Sequence, residues 1–265
     1  MTRAVVTGAG SGLGRALCVR LAARGASVLA ADVDAARADE TARLVGGLAA
    51  RCDVGVLADV ETLRARAVAE LGGVDLVVNN AGVAVAGAVG AVPIVDWEWI
   101  VRVNLWGVVH GCHVFVPQLR AQGRGHVLNV ASAAGLVALP DFAPYNVTKS
   151  AVVALSETLY AELRGTGVGV TVLCPTFFET GIARAARGTS AEQVAMAAAL
   201  MKESSWSAEA VAERALRAVD RGRLYAIPQA DGRWMWRLKR LAPRLVTAMA
   251  PRAVALAKRR LGAAR

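Results

Sequence analysis

RAVVTGAGSGLGRALCVRL, residues 3–21, passes from a short apolar stretch through four glycines into apolar residues at helical spacing. Arg3-Ala-Val-Val-Thr7 suits a buried strand, and Leu13, Ala16, Leu17 and Leu21 recur at i, i+3, i+4 and i+8, one face of a helix. A glycine-rich turn between a strand and a helix is the setting in which glycines cradle phosphate. Gly8 permits a tight turn, Gly12 lets the backbone approach a pyrophosphate, and Gly14 permits close helix–sheet packing. The N–H groups at the helix start, around Ser11 and Leu13, are then free to face an anion.

Residues 26–31 read as the next strand, and Asp32 closes it, eighteen residues after Gly14. An acidic residue there accepts hydrogen bonds from the ribose hydroxyls of a dinucleotide and repels a 2′-phosphate. No Arg or Lys directly follows Asp32, and Ser11 is neutral. The expected cofactor is therefore NAD in preference to NADP.

A second constellation lies near the middle of the chain. Tyr145 and Lys149 stand four residues apart in Tyr-Asn-Val-Thr-Lys, thirteen residues after Ser132. On a helix, i and i+4 share a face, about one ~5.4 Å turn apart. A nearby positive charge favours a phenolate and is expected to lower a tyrosine pKa from its usual ~10. A tyrosine so tuned exchanges protons with an alcohol or carbonyl oxygen. Tyr-x-x-x-Lys also occurs by chance in many helices, so the pair gains meaning only from the rest of the chain.

Taken in order, the motifs resemble those of the short-chain dehydrogenase/reductase family over most of residues 3–230. Thr7-Gly8-Ala9-Gly10-Ser11-Gly12-Leu13-Gly14 is similar to its cofactor loop, Asp53-Val54 to its adenine-contacting pair, and Asn79-Asn80-Ala81-Gly82 to the segment ending its fourth strand. Asn104, Ser132, Tyr145 and Lys149 match its catalytic tetrad in order and approximate spacing. The resemblance implies that Lys149 holds the nicotinamide ribose, that Ser132 hydrogen-bonds the substrate oxygen, and that Asn104 distorts its helix and holds a water in a proton relay to Lys149. Asn80, Ala81 and Gly82 would contact the cofactor, as would Pro175, Phe178 and Thr180 after the sixth strand, with Thr180 on the carboxamide. In the same loop the family usually has Pro-Gly where this chain has Pro175-Thr176. Threonine adopts positive φ less readily than glycine, which puts the loop path in question. The family layout also implies a pocket lined by Ser132, Ala133, Ala134, Leu136, Leu139, Phe142, Tyr145, Phe177, Phe178 and Ile182. These residues carry almost no charge and suit an apolar substrate.

Strands are expected near 3–7, 26–31, 51–53, 75–79, 125–131, 168–173 and 223–227. Helices are expected near 13–24, 35–47, 60–71, 96–120, 145–164 and 207–220. Such alternation predicts an α/β fold: a doubly wound, Rossmann-like parallel sheet of about seven strands. Phe177 to about Ser205 reads as a lid, with an amphipathic helix at Ala195–Met201 and Gly181 and Gly188 as hinges.

The formal charge of +10 sits entirely at one end. Residues 233–265 hold ten Lys and Arg and no Asp or Glu, whereas residues 1–232 balance at 21 of each. We therefore separate a dehydrogenase domain, 1–232, from a basic, aromatic-containing helical extension, 233–265. The neutral body gives no reason to expect nucleic-acid binding. Leu238, Leu241, Leu245 and Met249, interleaved with Arg237, Arg240 and Arg244, suit an interfacial helix on an anionic membrane; packing on a neighbouring subunit is the competing reading. Pro243 and Pro251 are expected to divide the extension into short helices.

Cys18, Cys52, Cys112 and Cys174 are dispersed and read as small apolar fillers in a reducing compartment. His110-x-x-His113 lacks an obvious third ligand, so no metal is expected. The first strand starts almost at Met1, which leaves no room for a signal peptide, and no uninterrupted apolar run of about twenty residues suggests a membrane span. The expected location is the cytoplasm, extending to the inner membrane face if the extension binds there. The resemblance implies a homodimer or homotetramer acting on a small apolar alcohol or ketone. Two other readings compete: a ketoacyl reductase on carrier- or CoA-linked substrates, and a non-catalytic, cofactor-sensing binding protein.

Overall fold

In the computed structural model, which describes residues 2–182, 186–188, 195, 198–199 and 201–263, the expected alternation takes shape as a parallel sheet between two layers of helices. Its seven strands are β1 (Arg3–Thr7), β2 (Ser27–Asp32), β3 (Leu48–Arg51), β4 (Leu76–Asn79), β6 (Gly125–Val130), β7 (Val168–Leu173) and β9 (Tyr225–Ala226). They lie in the order β3-β2-β1-β4-β6-β7-β9, every neighbouring pair parallel. The chain runs outward from β1 in both directions, so a crevice opens past the C-terminal ends of β1 and β4.

Alternate residues of β1 face opposite layers. Val5 packs with α3 (Leu57–Leu71), α5 (Gly107–Gln122) and α6 (Ala143–Glu162). Ala4 and Val6 pack with α1 (Gly12–Ala23), α2 (Ala35–Val45) and α7 (Ala208–Asp220). Both faces of the strand are therefore dry, which is why it reads as an unbroken apolar run. Local signals set the helix ends. Asp34 caps α2 through the N–H groups of Ala36 and Arg37, and Gly46 ends it at φ 61°. Ser207 caps α7 by accepting from the Ala210 N–H.

Strand β3 lies three residues earlier than expected, at 48–51 rather than 51–53. Leu48-Ala-Ala has little intrinsic strand preference, but pairing with β2 (Leu29↔Leu48 to Asp32↔Arg51) overrides it. Two short strands were not foreseen. β5 (Val85–Ala86) and β8 (Arg187–Gly188) pair in parallel beside the crevice. Gly188 therefore sits in a strand rather than at a hinge. Residues 183–185, 189–194, 196–197 and 200, and with them the middle of the expected lid and part of its 195–201 helix, lie outside the described residues.

Helix α4 (Ile94–Val101) continues through a π-helical turn (Arg102–Trp106) into α5. By length and mean hydropathy (1.2) the 94–122 stretch is apolar enough to cross a membrane. Here it is a core helix, with Val108, Phe115 and Leu119 packed on the sheet.

The basic extension forms α8 (Ala230–Leu241) and α9 (Pro243–Ala263). The charge-based division at 232 falls inside α8. Pro243 does separate two helices, but Pro251 lies within α9; it removes one helical hydrogen bond without ending the helix.

At the N-terminal ends of the central strands, opposite the crevice, Arg3 donates through Nε (2.7 Å) and Nη2 (2.7 Å) to the two oxygens of Asp75. This fork holds the Asp75 carboxyl down at about 2, chiefly through the hydrogen bonds. A depressed carboxyl contributes stability above its unfolded value of ~3.9 and loses it as pH falls through 2. Asp75→Asn should therefore cost about 2 kcal/mol in urea unfolding at pH 7. The gap between variant and wild type should narrow from pH 4 downward.

Candidate active site

The glycine turn is shaped by atoms that leave no room for side chains. Gly8 and Gly12 have positive φ (63° and 50°). A Cβ on Gly14 would overlap the Gly8 carbonyl, and one on Gly12 would come within 3.0 Å of Thr180 Oγ1. Asn80 Nδ2 donates to the carbonyls of Thr7 (2.8 Å) and Gly8 (3.1 Å), clamping the turn to the end of β4. Asp32 accepts from the Gly10 N–H (2.8 Å) and the Asp34 N–H (3.0 Å), so its carboxylate is already oriented against the turn. Asp53 is fixed likewise by the Gly55 N–H (2.9 Å) and Arg102 (2.9 Å).

Asn104 lies in the π-turn and is fully buried. Its Oδ1 accepts from the Val83 N–H (2.8 Å), and its Nδ2 donates to the Val83 carbonyl (2.9 Å) and toward Thr148 Oγ1 (3.3 Å). One side chain thus joins the distorted helix, the segment after β4, and α6. Tyr145 and Lys149 stand one turn apart on α6. A Cβ on Gly82 would meet both Asn104 Oδ1 (3.3 Å) and Lys149 Nζ (3.4 Å), so these two groups face the same spot. Ser132 ends the loop after β6, where its hydroxyl accepts from the Ala134 N–H (3.2 Å) and reaches toward the Pro175 carbonyl (3.5 Å).

The electrostatics correct one expectation. Burial pushes the Tyr145 phenol above its ordinary value, and the Ser132 hydroxyl only partly opposes this. Lys149 does not reverse it: Nζ lies 5.7 Å from the Tyr145 ring centroid and donates to the Val130 carbonyl at 2.9 Å. Lys149 is itself 3% exposed, and burial lowers it to about 8. The nearby Cys174 thiol is driven up to about 12 by burial, so it stays neutral and offers Lys149 no counter-charge at neutral pH.

A continuous cavity of about 660 Å³ connects these parts. Gly8, Ser11, Gly12, Leu13, Gly14, Asp32, Asp53, Val54, Asn80, Ala81 and Gly82 line one end. Ser132, Tyr145, Lys149, Pro175, Phe178 and Thr180 line its middle, and Ala133, Ala134, Leu139, Phe142, Phe177 and Ile182 the remainder. The residues fit a dinucleotide: a side-chain-free cradle, oriented carboxylates beyond it, and an apolar chamber past Tyr145. Leu136 does not line the cavity; it is buried in the core above α6, and its carbonyl accepts from Lys239 Nζ (2.9 Å). Asn104 supports the site from behind and is not among the cavity-lining residues.

Thr176 needs no glycine-like backbone, since among the described non-glycine residues only Asp141 has positive φ. Its N–H instead donates to Gln229 Oε1 (3.1 Å) and its hydroxyl to Asp231 Oδ1 (3.3 Å). Gly232 is the counterpart, because a Cβ there would lie 2.8 Å from Thr176 Cγ2.

Several lining residues escaped the sequence reading. Val83, Ala86 and Trp99 come from the unforeseen β5 region and α4, and Asp231 and Met235 come from α8. Trp99 is stacked by Arg187 of β8, whose guanidinium lies 3.9 Å from the ring centroid and also pairs with Asp96 (3.0 Å). Arg37 lines the cavity near Asp32 and is paired with Asp34 at 3.2 Å. Its place on α2 gave a signal, one turn into the helix that follows Asp32. Of the histidines, His110 Nδ1 lies 2.9 Å from the Val54 carbonyl oxygen and His113 is exposed. Among the described residues no three His, Cys, Asp or Glu side chains gather as a metal site.

Comparison with known proteins agrees with this geometry. Residues 2–191 match the short chain dehydrogenase family. The 1-deoxy-11-beta-hydroxypentalenate dehydrogenase of Streptomyces exfoliatus is 37% identical over 243 residues, covering 87% of this chain and 84% of that protein. A protein of Mycobacterium tuberculosis named "Probable oxidoreductase EphD" is 38% identical over 199 residues, 71% of this chain but 34% of its own, so the chain spans about a third of that relative's length. A short-chain dehydrogenase/reductase from Burkholderia phymatum, solved in complex with NAD, superposes with a TM-score of 0.87 at 35% identity, covering 92% of this chain and 94% of that one. The chain belongs to the short-chain dehydrogenase/reductase family of NAD(P)-dependent oxidoreductases.

Proposed function

We propose that the protein interconverts an apolar secondary alcohol and its ketone, using NAD(H) in preference to NADP(H). The observation that carries this reading is the continuity of one cavity, from the glycine cradle and Asp32 past Ser132, Tyr145 and Lys149 into an apolar chamber. The Streptomyces relative, named 1-deoxy-11-beta-hydroxypentalenate dehydrogenase, supports a hydroxyl group as the centre that reacts.

A nicotinamide held in this cavity would supply the acceptor or donor of the hydride. The chain supplies everything else. Tyr145 gives its phenolic proton to the ketone oxygen in reduction and takes the alcohol proton in oxidation. Ser132 presents a hydroxyl to the same oxygen as charge develops on it. Lys149 holds a positive charge beside both, and Asn104 fixes the turn and helix that carry them. Burial keeps the phenol protonated at neutral pH, which suits it as the acid in reduction; oxidation gains as pH rises. Asp32, held by two backbone N–H groups, offers its remaining lone pairs to a ribose and repels a 2′-phosphate. Exposed Trp106 (52%) and Val147 (53%) lie beside this site on neighbouring helices and suit association as a homodimer or homotetramer. The basic α8–α9 segment suits contact with an anionic membrane surface.

Three outcomes test the reading. Tyr145→Phe should lower kcat about 10²–10⁴-fold on a panel of apolar secondary alcohols and ketones while the NADH Kd hardly moves; retained turnover would remove Tyr145 from the chemistry. Asp32→Ser should shift the NADH-to-NADPH Kd ratio toward NADPH by about tenfold or more, because one like-charge clash is lost. For Lys149 the folded value of about 8 lies below the unfolded ~10.4, so the unfolded chain binds more protons between them and wild-type stability rises with pH across that window. Lys149→Met lacks this slope. It should be more stable than wild type at pH 7 by on the order of 3 kcal/mol, with the gap closing by pH 10. Urea unfolding at both pH values measures it.

A further inference from the structure

Helix α8 has three faces with different neighbours. At about 100° per residue, Asp231 and Met235 lie close together, and both line the cavity. Trp236 and Lys239 turn inward: Trp236 packs on Tyr225 (centroids 4.8 Å apart) and Lys239 Nζ donates to the Leu136 carbonyl. Trp234, Leu238 and Leu241 form a stripe directly beside the Asp231–Met235 edge, on the side away from Trp236. They are 69%, 48% and 85% exposed, and Leu245 (54%) and Met249 (50%) are likewise exposed on α9. The stripe is thus continuous with the lip of the cavity. Its far flank is Arg237, and residues 233–265 as a whole hold ten basic residues and no acid, Asp231 at the cavity lip being the one acid of α8.

Charge decides what covers such a stripe. Two copies meeting across it would bring like-charged arginines together, whereas an anionic lipid surface answers both the charge and the apolar side chains. The wall is also held firmly to the site. Thr176 grips Gln229 and Asp231, and Gln229 Nε2 reaches the Phe177 carbonyl (3.4 Å), so the helix that presents the stripe is tied to the loop carrying Phe177 and Phe178.

We propose that α8 and α9 seat the protein on an anionic membrane, with the Trp234–Leu238–Leu241 stripe at the acyl boundary. The lip formed by Asp231 and Met235 then faces the lipid, and a lipid-soluble alcohol or ketone enters the cavity from the bilayer. The docking stands on the surface alone; the substrate class rests on the dehydrogenase reading above.

The full-length protein should co-sediment with vesicles containing phosphatidylglycerol, much less with pure phosphatidylcholine, and less at high salt. Leu238→Glu/Leu241→Glu should weaken this binding more than about tenfold, since it places two acids in the apolar stripe. With NAD, turnover of 2-dodecanol by the wild type should follow its mole fraction in the vesicle rather than its total concentration. The double variant should lose that dependence yet keep the wild-type rate on water-soluble 2-butanol. The proposal is overturned if phosphatidylglycerol vesicles bring down no protein, if the double variant converts a dimer to a monomer instead, or if 2-dodecanol turnover ignores the lipid phase. Sedimentation needs no turnover, so loss of all alcohol oxidation with vesicle binding intact would count against the dehydrogenase reading and leave the docking standing.

Discussion

The clamp of Asn80 across the ends of β1 and β4 is the constraint to which the rest of the site is referred. A turn through Gly8 has little side chain of its own to hold its shape, and its backbone carbonyls at Thr7 and Gly8 both meet one amide. Asn80 Nδ2 serves both, and Thr7 Oγ1 accepts in return from the N–H groups of Asn80 (3.1 Å) and Ala81 (3.2 Å). Because β1 and β4 are adjacent and parallel, this small network sits where the sheet changes direction. The Ala9 and Gly10 N–H groups are spent on the Ala31 carbonyl (2.9 Å) and Asp32 (2.8 Å), so the N–H groups left for an anion are those at the start of α1. Thr41 on the Ala9 carbonyl (2.9 Å) and Arg15 on the Gly10 carbonyl (2.6 Å) brace the turn from the other layer. The turn's flexibility is thereby converted into a fixed cradle.

The Tyr145–Lys149 end of the cavity obeys a different balance. Burying Lys149 at 3% exposure carries a desolvation cost, visible in its depressed value, and one carbonyl acceptor does not offset it. Among the described residues no carboxylate pairs with it, and Cys174 stays a thiol. An arrangement that destabilises the free protein while leaving an ammonium beside a phenol and an apolar chamber is consistent with a site selected for its chemistry. Asn104 makes the arrangement possible: by pairing with both backbone groups of Val83 it lets a long helix pass through a π-turn without leaving that strand extension unpartnered.

How far the sequence carried this picture varied with the kind of signal. Residues 3–7 and 125–130 were legible because strands buried on both faces are apolar throughout. The helix beginning near Tyr145 was legible from its spacing. β3 was misplaced because Leu48-Ala-Ala becomes a strand only through pairing with β2, a partner that local preference does not reveal. β5 and β8 are two residues each and exist only as a pair 102 residues apart in sequence (Val85↔Arg187), beyond the reach of any local pattern. Leu136 was placed at the pocket by the family layout, and that layout does not distinguish a lining residue from a core one beside it. The direction of the Tyr145 shift was misread because spacing conveys the proximity of Lys149 but not the depth at which both are buried.

Thr176 and the basic extension looked like separate peculiarities, one a lapse from a motif and the other an appendage. Their contact makes them one device. A glycine at 176 would supply neither the hydroxyl that meets Asp231 nor the methyl that fills the space left by Gly232, so the loop could follow the same path yet hold nothing. Threonine is tolerated there because the backbone never enters the left-handed region, and it is useful because Gln229, 2% exposed, is committed to the same loop from the other side. The start of α8 is thus anchored by polar contacts to the loop after β7, while three residues further on the helix turns a tryptophan and then leucines outward. Rigid attachment at one end and unpartnered apolar surface at the other is costly for an ornamental tail. It follows naturally for an element that must hold one wall of a cavity and meet something outside it.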